Sequence, residues 1–448
     1  MAKIIIIGNG IAGSTAARYI RKNSDHDITM ISAETLYPFS RTALMYIYMG
    51  HMKFEHTKLY EDWFWTKNRI NLIKDLVKSI NTQQKNITLG NGDIMEYDKL
   101  IIASGSKSNK FGWPGQDLSG VQGLYHFQDL ENMEVATRQG IHKAVIVGGG
   151  LIGIEMAEMF HSRHIPVTML VREKSFWDVV LPPEESTMIN RHILAHGIDL
   201  RLQEELSEIK GKDGKVSSVI CKNSGEEIPC EFVGLTVGVS PNVDFVKPSG
   251  ININRGLVVD EYLQTSAEDV FAIGDCVELS RPNPGRRPIE AVWYTGRIMG
   301  KTVAQTICGQ PTQYDPGIWF NSAKFFDIEY QVYGDIPAKT PYHIISLYWQ
   351  HQSENKAIRI NYETTSGIVT GFNLMGIRYR HSVCEKWLAE KTHIETVLKN
   401  LSLANFDPEF FDEYESSFVE KYNQKTSKSL KLSSKRKLSL VEQFLMGK

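Results

Sequence analysis

Cysteine is missing from the first 220 residues of this 448-residue chain. The five that follow, Cys221, Cys230, Cys276, Cys308 and Cys384, show neither a C-x-x-C pair nor metal-ligand spacing, so they read as buried or surface thiols. Long hydrophobic runs are missing too. Nothing approaches the roughly 20 apolar residues of a membrane span, and a strand that starts at residue 3 leaves no room for a signal peptide, so the expected location is the cytoplasm. Neither sign of charge is in excess: a net charge of −2 and a pI near 6.7 give no global field toward nucleic acid or an anionic membrane. His161, His164, His192 and His196 fall near helical spacing, but no carboxylates or thiols converge with them in the sequence, and no metal site is expected. What remains, 42% hydrophobic and 23% charged residues, suits about three globular domains of ordinary size.

The strongest pattern opens the chain. An isoleucine run from residue 3 reads as a strand buried on both faces of a parallel sheet, and it leads directly into Gly8, Gly10 and Gly13. In the G-x-G-x-x-G spacing the first glycine makes the turn, the second lets backbone approach a pyrophosphate, and the third lets the helix pack close. An Ala-rich helix over 12–22 and a strand over 27–32 complete the unit. Glu34 is the nearest acid to the end of that strand and is either a ligand for adenosine ribose hydroxyls or a solvated loop residue. The pattern then recurs: a strand near 142–147 meets Gly148, Gly150 and Gly153, followed by a helix to about 163 and a strand over 166–171. Two such fingerprints in one chain are far more specific than one, and two dinucleotides are expected at once.

Other segments supply the rest of a ligand crevice. Residues 97–105 read as a strand ending in Ala103, Ser104 and Gly105, small enough for backbone to pass beneath a ligand. A strand from 270 ends in Gly274 and Asp275, an acid either facing the crevice or serving a turn. A helix is expected over 289–308, and residues 53–96 are expected to cover the sheet. From 319 onward, aromatic-rich strands over 325–334, 342–350, 357–362 and 368–374 suggest an antiparallel sheet, followed by helices over 385–398 and 410–422. Residues 425–438 are basic and acid-free, and 440–446 form a short apolar helix candidate. This tail reads either as a solubilising extension or as a dock for an acidic redox protein or membrane surface.

With both fingerprints, the Ala103–Gly105 motif, the turn over 236–242 and the 272–275 motif in hand, the chain resembles the FAD-dependent pyridine nucleotide-disulfide oxidoreductase superfamily across residues 3–335. The resemblance implies an α/β fold with two Rossmann-like dinucleotide-binding domains plus a C-terminal α+β interface domain. FAD would occupy residues 1–112 and 245–318, NAD(P)H residues 113–244, with an interface domain over 319–423, a basic tail over 424–448 and a homodimer. Gly8, Gly10 and Gly13 would hold the FAD pyrophosphate, Asp275 the ribityl chain, and Gly148, Gly150 and Gly153 the nicotinamide dinucleotide. Glu155 matches a glutamate near the nicotinamide. Arg41 lies either near the flavin, offsetting its reduced charge, or in a structural ion pair.

One departure narrows the function. Relatives that reduce disulfides or peroxides carry cysteine in the segment corresponding to 36–50, where this chain has none. A serine hydroxyl at Ser40 cannot relay electrons as a thiolate or sulfenic acid does. The remaining group is flavin-only: ferredoxin and rubredoxin reductases, the flavin portion of nitrite reductases, and some oxidases. The implied activity is hydride transfer from NAD(P)H to FAD, with electrons passed to a small electron-carrier protein or small-molecule acceptor. The alternatives are an NADH oxidase using oxygen and a flavin-bound redox-sensing interaction protein. At the strand end, Arg172 would accept a 2′-phosphate and Glu173 a 2′-hydroxyl; the balance leans to NADH.

Overall fold

The structure is a computed structural model that describes residues 1–407, 410 and 412–433; the apolar stretch over 440–446 lies outside the described residues, as does the basic tail beyond 433. The chain divides into two compact units, Met1–Phe176 with Ile193–Gly317, and Trp177–His192 with Ile318–Lys448.

The first unit holds ten strands in two parallel sheets: β1 (Lys3–Ile7), β2 (Asp27–Ser32), β3 (Ile70–Lys74), β4 (Lys99–Ile102), β5 (Val121–Gln122), β6 (Ala144–Val147), β7 (Val167–Val171), β8 (Asp199–Leu202), β9 (Phe232–Leu235) and β10 (Val270–Ala272). One sheet runs β10-β4-β1-β2-β3 and the other β8-β7-β6-β9-β5, five strands each. Strands covered on both faces must be apolar throughout, and Ile4, Ile5, Ile6 and Ile7 are buried, as are Ala144, Val145, Ile146 and Val147. In both sheets the strand carrying the glycine fingerprint has its next strand on one side and a late-returning strand on the other. That reversal opens a crevice at the carboxyl ends of β1 and β6.

Each crevice is floored by a helix: α1 (Ile11–Asn23) after β1 and α2 (Leu151–Ser162) after β6. A third helix, α3 (Trp293–Ile307), packs along α1 through small residues, and a Cβ built on Gly300 would lie 2.5 Å from the Ala12 carbonyl oxygen. The spacing of residues predicts a start at 289, yet α3 begins at Trp293. Arg286 and Glu290 form a buried ion pair at 2.6 Å, and Val292 is extended, so the backbone stays out of the helix until the next residue. Residues 53–96 do more than cover a sheet: β3 becomes its edge strand, and Val77–Asn81, Asn86–Leu89 and Ile94–Glu96 form a separate antiparallel layer.

The second unit is built on an antiparallel sheet of five strands, β11 (Phe320–Phe325), β12 (Ile328–Gly334), β13 (Ile344–Gln350), β14 (Ala357–Glu363) and β15 (Val369–Met375), in the order β11-β12-β15-β14-β13. The strand expected over 325–334 begins at Ile328: Phe325 ends β11, and Phe326, with φ of 55°, turns the chain into β12. The helix expected over 385–398 is likewise two, His381–Ala389 and Ile394–Lys399, divided where Lys391 takes φ of 51°. The helix expected to begin at 410 begins at Glu415. Arg359, 3% exposed, grips Glu185, 1% exposed, through two hydrogen bonds of 2.7 Å, and Asn373 donates to the same carboxylate. Removing one partner of such a pair leaves a buried charge and costs about 3–5 kcal/mol.

Candidate functional site

The two fingerprints are built alike, atom for atom, at the turn. The Gly8 N–H donates to the Ile31 carbonyl at 2.7 Å, and the Gly148 N–H donates to the Leu170 carbonyl at 2.9 Å. Gly8 and Gly148 take φ of +108° and +120°, which side chains rarely adopt. A Cβ on Gly8 would lie 2.1 Å from the Ala103 oxygen, and one on Gly148 would lie 2.5 Å from the Thr236 oxygen. Gly13 and Gly153 press against the Gly8 and Gly148 carbonyls at 2.0 and 2.5 Å by the same measure. Gly10 and Gly150 differ: a Cβ there meets nothing within 4 Å. The outer glycines are fixed by protein packing, and the middle ones face open space at a helix N-terminus, where unpaired N–H groups favour an anion.

The first crevice is a cavity of about 630 Å³. Gly8, Gly10, Glu34, Arg41, Ala103, Ser104, Gly105 and Asp275 all line it, while Gly13 lies behind its floor. Ser104 Oγ donates to the Asn242 carbonyl at 2.7 Å and the Asn242 N–H donates to the Gly105 carbonyl at 2.9 Å, which ties the 236–242 turn to the small-residue strand end. Glu155 lines the same cavity, carried there by the first turns of α2 together with Leu151 and Ile152. The helix that floors the second crevice therefore also faces into the first. Arg172, beyond the end of β7, is exposed and ion-paired with Glu173 at 2.7 Å.

Glu34 and Arg41 form one unit. Arg41 donates to both carboxylate oxygens of Glu34, at 2.9 and 2.6 Å, and the Phe127 N–H adds a third bond at 2.7 Å. Burial pushes the Glu34 carboxyl up, but hydrogen bonds from His126 and Arg41, the Arg41 charge and the Phe127 amide outweigh it and hold the group at about 2. Asp275 is opposite in balance. Burial raises its carboxyl, and the Tyr125 hydroxyl, donating at 3.1 Å, with the charge of Arg41 only partly offsets this. Tyr125 also accepts from the Ser106 N–H at 2.9 Å and stacks beneath the Arg41 guanidinium, 4.5 Å from its centroid.

Sequence reasoning missed Tyr125, His126 and the cavity-lining role of Trp293. Nothing in the spacing around Tyr125 signals it; its place follows from the connection after β5 crossing back to the first sheet. Among the described residues no cysteine lines the cavity. Cys276, adjacent to Asp275, turns away, its thiol bonded to the Ile102 and Ile273 carbonyls and pushed up to about 11 by burial.

This crevice fits a flavin dinucleotide on its own geometry: open backbone before Gly10, a helix N-terminus, a largely apolar wall and a few convergent polar groups. Comparison with known proteins agrees. A family model described as pyridine nucleotide-disulphide oxidoreductase matches residues 2–305. A rubredoxin-NAD(+) reductase of Ectopseudomonas oleovorans is 27% identical over 323 residues, 70% of this chain and 83% of that protein. The ferredoxin reductase subunit of a 5,5′-dehydrodivanillate O-demethylase from a Sphingobium species is 30% identical, over 74% of this chain and 81% of its own. Among solved structures, NADH:rubredoxin oxidoreductase from Clostridium acetobutylicum superposes with a TM-score of 0.68 at 25% identity, covering 87% of this chain and 94% of that one.

The contrast between glycines is testable. Gly10→Ala, at φ of −64° and ψ of −174° with open space ahead, should change the stability of the FAD-free protein by less than about 1 kcal/mol while weakening FAD binding at least about tenfold. Gly8→Ala should fail to fold. Calorimetric unfolding and flavin-fluorescence titration measure the two effects. A second expectation concerns acid. The Glu34 carboxyl lies at about 2 in the fold against 4.5 unperturbed, so its contribution is complete above pH 4.5 and is lost as pH falls toward 2. Urea unfolding of FAD-free Glu34→Gln should show a deficit of about 1–3 kcal/mol at pH 7 that shrinks steadily below pH 4.5.

Proposed function

The chain belongs to the pyridine nucleotide-disulphide oxidoreductase family, and from that premise we propose that it is a flavin-only reductase, moving electrons from NAD(P)H through FAD to a small external carrier of ferredoxin or rubredoxin type. The observation that carries the reading is the entry of Glu155, on the helix of the second fingerprint, into the cysteine-free cavity of the first. When bound, FAD supplies the redox chemistry, accepting hydride from the nicotinamide and releasing electrons to the acceptor.

The residues have defined tasks in this reading. The α1 N-terminus and the bare backbone at Gly10 take the FAD pyrophosphate, with Ala103, Ser104 and Gly105 closing the floor. Asp275, held by Tyr125, accepts from a ribityl hydroxyl. Arg41, fixed by Glu34, lends positive potential to the cavity, and Glu34, which also lines it, would accept from the adenosine ribose hydroxyls. Gly148, Gly150 and Gly153 hold the second dinucleotide, and Glu155 orients its nicotinamide end. Residues 1–112 with 245–318 serve FAD, 113–244 serve NAD(P)H, and 319–423 form an interface domain of a cytoplasmic homodimer, which sedimentation checks. No helix among the described residues is long and apolar enough to cross a membrane.

An oxidase would need no carrier. NAD(P)H oxidation in air by the FAD-loaded chain should be slow alone and accelerate at least about tenfold on adding an oxidised ferredoxin or rubredoxin. Fast, stoichiometric oxygen consumption without carrier would replace this proposal with the oxidase.

A further inference from the structure

Two distant stretches of chain line the first cavity. Arg41, Thr42, Leu44 and Met45 belong to one, which ends in the short helix Leu44–Tyr48. Leu151, Ile152 and Glu155 belong to the other, the opening turns of α2. Hydride passes only when donor and acceptor atoms come within about 3–3.5 Å, so whatever fixes the spacing of these two stretches bears on the rate.

Their far ends meet at one side chain. Arg163 caps the C-terminus of α2, about 12 Å along the helix from Glu155 at 1.5 Å per residue. The Tyr48 carbonyl, at the end of its own helix where carbonyls lack helical partners, accepts from Arg163 Nε at 3.1 Å and again from a terminal nitrogen. The same guanidinium lies 3.5 Å from the centroid of the Tyr48 ring, which meets Phe160 of α2 edge-on at 6.1 Å. A third element closes the joint. On the helix Phe127–Thr137, Glu134 accepts from both terminal nitrogens of Arg163, one of them at 2.9 Å. The Thr137 hydroxyl donates to the Met133 carbonyl at 2.8 Å, so its bond of 2.8 Å with Tyr48 takes its hydrogen from the phenol. Tyr48 and Thr137 are both buried. The Phe127 end of that helix is bonded to Glu34, so it is pinned to the 34–48 stretch at both ends.

Resting on the reductase reading above, we propose that Arg163 is a positioning residue for hydride transfer: by tying Tyr48 to the end of α2 and to Glu134, it sets how the Arg41–Met45 stretch stands against the start of α2. Arg163 does not line the cavity, so losing its bonds leaves the groups that hold each dinucleotide in place and loosens only their relative placement. A lysine cannot replace it. One ammonium cannot lie flat on the ring while separate nitrogens serve a carbonyl and a carboxylate.

The test compares the FAD-loaded full chain with Arg163→Met, which keeps much of the side-chain volume and removes every donor, and with Arg163→Lys. Placement is read without turnover, from the shift that NAD+ or NADP+ causes in the flavin visible band, with affinity read by titration calorimetry. Arg163→Met should bind FAD and the oxidised nucleotide within about threefold of wild type, yet lose about half of the band shift or more. The limiting rate of flavin bleaching by the matching reduced nucleotide, without oxygen, should fall at least about tenfold, and Arg163→Lys should recover less than about half of it. Should Arg163→Met not fold, Tyr48→Phe, which deletes only the bond to Thr137, carries the same test with a rate loss of at least about threefold. An unchanged band shift and rate, or a rate loss matched by equal losses of FAD and nucleotide affinity, would overturn the positioning role and leave the reductase reading standing. A wild-type flavin that neither NADH nor NADPH bleaches would overturn both.

Discussion

The carbonyl oxygens of Ala103 and Thr236 stand where any side chain on Gly8 or Gly148 would have to go. That close approach, repeated in two sheets, is the constraint from which the rest of the molecule follows. It fixes the strand end beside each turn and lets α1 and α2 begin at once against their strands. Open backbone is left only at the middle glycine. The outer glycines are committed to packing, whereas a Cβ built on Gly10 or Gly150 would meet no protein atom within 4 Å.

Charge in the first crevice is held in opposed pairs. In the first crevice Arg41 is neutralised by Glu34 at one end and shares Tyr125 with Asp275 at the other, so the cavity contains a cation without a large net field. Desolvation sets the Asp275 carboxyl above its usual range, and hydrogen bonding sets Glu34 far below it. Among the described residues no cysteine shares these walls.

Much of this was legible in the chain. Both fingerprints, the central strands, α1 and the parallel sheets follow from local periodicity and glycine spacing. The small-residue motif at Ala103 and the acid at Asp275 are legible because they end apolar strands, and strand ends in parallel sheets face the crevice. Tyr125 and the Glu185–Arg359 pair were not, because each depends on partners 150 and 174 residues away that leave no periodic mark. Boundaries failed for a related reason. The Arg286–Glu290 pair delays α3, and left-handed turns at Phe326 and Lys391 cut apolar runs that read as continuous. Side-chain contacts and single backbone angles decide these breaks, whereas hydrophobic pattern reports only what can be buried.

The most direct test of two dinucleotides meeting at one cysteine-free cavity is the visible spectrum of the FAD-loaded chain under strict exclusion of oxygen during titration with reduced nicotinamide nucleotide. The account predicts complete bleaching of the flavin band by one equivalent, with no long-wavelength thiolate charge-transfer band. A second equivalent consumed before full reduction, or a charge-transfer band that forms while the flavin remains oxidised, would mean a further redox group and would contradict it.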